Sequence, residues 1–292
     1  LGCIFDIMNS KGLQFEEILR MQIFYGEKDI DYNNPNGYAF LNWRFDDSMG
    51  GNNKENPFQG ISDNFEMGKA YMANAVIALY SIIYSHNPQN MADTMVFPVL
   101  FSVWHGVELW LKSSIYAISL ITNTETKMNQ NHNIKDYLDA LRERLSELNM
   151  NSTEKMALSE VVELVEEFKR VDARFDFARY SFDRKGNYQF YNAPVGDDKQ
   201  WQKGLATDIQ AVPNTCIKLD SLFNLILGIT DHFRDFVEYL ILVITEGGKL
   251  SDDYYEAHIK ICKNFEKKLD DKIEDEPDPL RQIIRAINLY IL

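Results

Sequence analysis

Residues 94–120, TMVFPVLFSVWHGVELWLKSSIYAISL, decide how the rest of the chain is read. The stretch is apolar on nearly every side, yet His105, Glu108 and Lys112 stand in its middle. A helix advances about 100° per residue, which brings these three side chains within roughly 60° of one another on one strip. A helix that is hydrophobic all round belongs inside a bundle. Charges placed there must be paired or serve a purpose, because an unpaired buried charge is costly. The stretch is long enough to cross a bilayer, but three ionisable groups at mid-span are expensive in lipid. A buried helix, and no membrane contact, is the expectation.

The flanking segments extend the helical pattern. Leu13, Ile18, Met21 and Phe24 mark an amphipathic helix over 12–25, followed by a long polar loop over about 27–62. Ser62 or Asp63 with Glu66 forms a capping signal, so a helix is expected over 64–85. Asn87-Pro88 ends it, and Pro98 is placed in the first turn of the central helix. Asn133 is a natural N-cap for an amphipathic helix over 134–148. Further helices are expected over 153–171, 214–246, 251–272 and 279–292, with Gly247-Gly248 breaking the longest. Between them, FDFARYSFDRKGNYQFYNAP alternates aromatic and polar residues around Asp183-Arg184-Lys185-Gly186, a hairpin signature. The fold class is therefore all-α, a multi-helix bundle with one β-hairpin insertion at about 174–192. The domain reading is an N-terminal helix and loop (1–62), a helical core (63–246) and a C-terminal helical extension (247–292).

Composition limits the functions. The chain has 292 residues and a formal net charge of −14, which disfavours a general phosphate-binding surface. One island reverses that sign: residues 168–203 carry eight basic against five acidic side chains. Within it, Arg174, Arg179, Arg184, Lys185, Tyr188 and Trp201 suit single-stranded nucleic acid, since cations track phosphates and aromatic rings stack bases. An ordinary solvated hairpin is the plainer reading of the same residues. Cys3, Cys216 and Cys262 are too scattered for a disulfide framework or a cysteine-rich zinc site. No metal and no cofactor are expected, and His-x-x-Glu alone does not complete a ligand set. The Leu-Gly-Cys start resembles the end of a lipoprotein signal, but no apolar region precedes it. The expected location is the cytoplasm.

The patterns WHGVELWLKSSI, NHNIKDYL and FARYSFDRKG together resemble bacterial helical proteins of the HEPN type over roughly 65–245. The matching positions are His105, Glu108, Leu109, Leu111 and Lys112, then His132 and Asn133, then Arg179, Tyr180, Asp183 and Gly186. The resemblance implies a helical bundle that dimerises and belongs to RNA-directed toxins, toxin–antitoxin pairs or antiviral defence. It also implies candidate catalytic residues: His105, Glu108, Lys112, His132, Arg179 and Asp183. One departure matters. Active ribonucleases of the family use Arg-x4–6-His, and none of the five histidines here has an arginine at that spacing. The expected function is thus RNA binding or toxin-type activity in bacterial defence without the usual cleavage motif. The alternative is a non-catalytic structural or adaptor subunit of a defence or regulatory complex. Expected partners are a second copy of the chain (with 214–246 in the interface), RNA, and a protein encoded nearby. Arg179 is expected to reach Glu108, because its planar fork can hold a carboxylate with two hydrogen bonds.

Overall fold

A computed structural model describes residues 57–84, 88–124, 132–148, 150–169 and 217–273. Six helices run through them: α1 (Pro57–Tyr84), α2 (Pro88–Thr122), α3 (Ile134–Glu147), α4 (Asn151–Lys169), α5 (Leu219–Glu246) and α6 (Asp252–Ile273). Among the described residues there is no strand, so the all-α class holds. The hairpin expected over 174–192 lies outside the described residues, as do the helices expected over 12–25 and 279–292. The chain divides into two compact units, Leu1–Arg44 and Phe45–Leu292, and every described residue belongs to the second.

Helix α2 packs against α1, α3 and α5, while α5 also packs against α1, α4 and α6. This is why both are apolar around most of their circumference. The 92–122 part of α2 is long and apolar enough to cross a membrane by length and composition. In the bundle it instead buries Val99, Leu100, Val103, Val107, Trp110 and Leu111 against its neighbours. On α5, Ile226, Phe233, Phe236, Val237 and Leu240 are all fully buried, and Leu227 is its one exposed large apolar side chain. Leu219, Phe223, Leu225, Ile241 and Ile244 of the same helix are half-buried against the core.

Trp110 is where α1, α2 and α5 meet. Its ring stacks on Phe233 of α5 at 5.9 Å and tilts against Phe65 of α1 at 6.5 Å. Its indole N–H donates to the Phe65 carbonyl at 3.0 Å. Beside it, the Ser113 hydroxyl donates to the Ile61 carbonyl at 2.7 Å. A carbonyl has two lone pairs, so a helical carbonyl can accept such a bond besides its own helix bond. The approach is close because two glycines face each other at the crossing. A Cβ on Gly68 would lie 2.4 Å from Trp110 Nε1, and one on Gly106 would lie 3.2 Å from the Gly68 carbonyl.

Two local expectations are corrected. The first helix begins at Pro57, so Ser62 and Asp63 are interior residues and not caps. Ile61 and Phe65 are both buried, so the apolar stripe continues past the capping signal, and proline is well suited to a first helical position. Pro98 lies well inside α2 and not in its first turn, which Pro88 occupies. Proline has no N–H to donate to the carbonyl one turn back, and Pro98 and Thr94 are both exposed, so the proline sits on the solvent side of α2. Elsewhere the local signals hold. Asn133 caps α3, its side chain accepting from Lys135 N–H at 3.1 Å. Gly247 ends α5 in the left-handed conformation (φ 64°), which glycine adopts without steric cost.

Candidate functional site

One strip of α2 carries His105, Glu108 and Lys112 on successive turns, as their spacing requires. The start of α3 adds His132. Glu108 is 3% exposed and is the hub of the group. The Lys112 ammonium donates to Glu108 Oε1. His132 Nδ1 lies 2.9 Å from the same oxygen. His105 Nδ1 stands 3.7 Å from Oε2, an ionic contact longer than a hydrogen bond. All four candidates on described elements thus share one site.

The electrostatics follow from that geometry. Burial pushes the Glu108 carboxyl upward, but His105, Lys112 and His132 together outweigh it and bring the pKa down to about 2. Glu108 is therefore ionised throughout the physiological range. Burial pulls the Lys112 ammonium down, yet its bond to Glu108 more than compensates and raises its pKa above the usual value. Lys112 Nζ also sits 5.0 Å from the centre of the Tyr137 ring, where the electron-rich face attracts a cation.

His105 is held between two rings. Phe101 lies parallel to it at 5.8 Å, and the edge of Tyr71 from α1 meets it at 4.6 Å. Sequence reasoning missed both partners. Phe101 precedes His105 by one turn and was legible in the spacing, whereas Tyr71 reaches it from another helix and left no local signal. His132 holds a left-handed backbone conformation (φ 54°), uncommon outside glycine although more tolerated in Asn, Asp and His. Its neighbour Asn133 is fixed as the cap of α3. The reversal at His132 aims the imidazole back at α2 while the next residue starts a helix.

A second charged group, missed at the sequence level, lies between α1 and α5. Lys69 pairs with Glu66 at 2.9 Å, and Arg234 pairs with Asp235 at 2.9 Å and Asp231 at 3.7 Å. Lys69, Arg234 and Asp235 are buried. Nearby Glu238 has its pKa raised by burial, against the pull of Arg234 and Lys69. Each ion pair lies within one helix at a spacing the sequence shows, and only the influence of Lys69 and Glu66 of α1 on Glu238 of α5 crosses between helices.

The remaining expected site residues, Arg174, Arg179, Asp183, Arg184, Lys185, Tyr188 and Trp201, lie outside the described residues. The expected Arg179–Glu108 contact lies outside the described residues for the same reason. Among the described residues, no group of three or more His, Cys, Asp or Glu side chains is placed to hold a metal ion. In comparisons with known proteins, the chain matches no family model, no curated protein and no solved structure.

Proposed function

We propose that this chain is a HEPN-like, RNA-binding or toxin-type protein of bacterial antiviral defence that acts without the family's usual cleavage motif. The observation that carries the reading is the buried Glu108 carboxylate, which gathers Lys112, His105 and His132 into one cluster. His132 is 64% exposed and His105 29% exposed, so the cluster reaches solvent on its imidazole side. Three potential cations around one carboxylate leave a positive surplus once the imidazoles are protonated, which suits a phosphate. The homodimer expected from the resemblance belongs to the same proposal.

The test is fluorescence anisotropy of the full chain with a labelled single-stranded RNA at low salt. Saturable binding that weakens in Lys112→Ala and His105→Ala supports the reading. No binding at micromolar protein sinks it.

A second reading, a structural or adaptor subunit, draws on a different observation. Both Glu108 oxygens are engaged and the carboxylate is almost wholly covered, as expected of a pair that only fixes the α2–α3 register. Under that reading, variants of the cluster lose stability while RNA is bound by neither wild type nor variant.

A further inference from the structure

An ionised carboxylate only accepts hydrogen bonds. The Nδ1 of His132, 2.9 Å from Glu108 Oε1, therefore carries a proton, and the Nδ1 of His105 is held facing Oε2. A neutral imidazole has one N–H, so with Nδ1 protonated the far nitrogen of His132, Nε2, holds a lone pair, and the carboxylate favours the same tautomer in His105 through its field alone. That edge repels a phosphate oxygen. A second proton turns the same edge into a charged N–H donor, the strong form of hydrogen bond to phosphate. Among the described residues, His132 has no hydrogen-bonding partner besides Glu108, and His105 meets Glu108 only through the longer ionic contact at 3.7 Å. Lys112 already offsets the charge of Glu108, so each imidazolium adds positive charge that nothing else in the cluster cancels.

We propose that phosphate binding at this site is proton-gated, with His105 and His132 admitting a nucleic-acid phosphate when protonated and turning it away when neutral. The proposal rests on the RNA-binding reading above and adds its regulation. Among the described residues, the groups around the two rings come from three helices. On α2 they are Phe101, Glu108 and Lys112; from α1, Tyr71 meets His105. From α3, Tyr137 lies under Lys112, while Asp136 accepts from the Asn133 side chain. On α5, which packs against α2, Arg234 pairs with Asp231 and Asp235, and Glu238 lies within reach of Arg234 and Lys69. Histidine is the residue type that ordinarily changes charge between about pH 5 and 8. The left-handed backbone at His132 is a second sign that the ring is held in place, since strained residues cluster at functional sites.

The experiment measures RNA anisotropy against salt at about pH 8 and about pH 5.5, on the full chain. On single strands each phosphate neutralised contributes about 0.7 to the slope of log K against log salt. Two imidazolium contacts steepen that slope by about 1.4 at the lower pH. A His105→Asn/His132→Asn variant, shown folded by circular dichroism, should lose the steepening. This control also removes the general gain that any acidic protein makes as its net charge of −14 shrinks. Steepening that persists in the folded double variant belongs to other groups and overturns the gate. The wild-type slopes need no variant: RNA bound with equal slopes at both pH values overturns the gate while the RNA reading stands. Inorganic polyphosphate serves as a second probe. If it shows the gated slope and RNA does not bind at all, the gate stands and the RNA reading falls; if neither binds, both fall.

Discussion

Replacing Glu108 by glutamine tests the site most directly, because shape is kept and only the charge is removed. In the folded chain the carboxyl pKa is about 2, against an ordinary value of 4.5. At about 1.4 kcal/mol per pH unit, that depression is worth roughly 3 kcal/mol. The sign follows from its direction. A depressed folded-state pKa contributes stability that is present above 4.5 and is lost as pH falls from 4.5 towards about 2. Lys112 runs the other way: its raised pKa contributes stability below its ordinary value of 10.5, lost as pH rises through the folded value. At neutral pH, Glu108→Gln leaves Lys112 half-buried beside a neutral acceptor. Breaking one member of a buried pair costs about 3–5 kcal/mol, and the retained amide oxygen puts this case at the low end. Urea denaturation followed by circular dichroism, at neutral pH and at steps below 4.5, measures both effects. The wild-type curve should fall through the acid window while the variant stays flatter there, so the gap between them narrows by roughly 3 kcal/mol. Parallel curves, or a gap at neutral pH below about 0.5 kcal/mol, would refute the account of Glu108 as an ionised hub.

Gly68→Ala should destabilise by roughly 1–3 kcal/mol from overpacking, despite the ~1 kcal/mol that alanine gains over glycine inside a helix. The added Cβ would sit 2.4 Å from Trp110 Nε1, and a stabilised variant in urea melts would contradict that contact. His132→Gly should be more stable than His132→Ala by about 1 kcal/mol, because both lose the Glu108 bond and only glycine adopts positive φ freely. Equal melts for the two would show that the backbone there is unstrained. Without Arg-x4–6-His, no metal-independent cleavage of single-stranded RNA is expected at neutral pH. Chelator-resistant cleavage abolished by His105→Ala would overturn this. Light scattering should give a dimer at micromolar protein, and a monomer removes the homodimer from the proposal.

Much of the helical order was legible because helix-forming signals are local. The all-round apolarity of 94–120 announced a buried helix, Asn133 announced the start of α3, and Gly247 announced the end of α5. The common face of His105, Glu108 and Lys112 followed from the turn of a helix alone. The same local reasoning failed where burial outweighed it. Ser62 and Asp63 carry a cap signal, but the packing of Ile61 and Phe65 extends α1 past it. Tertiary structure alone decided that Trp110 would bond the Phe65 carbonyl, that Gly68 and Gly106 would meet at the crossing, and that Glu238 would lie within the influence of Lys69 on another helix. It also decided that His132 would join Glu108. Such contacts join residues far apart in the chain, and nothing in the period of one helix records the face that another will present to it.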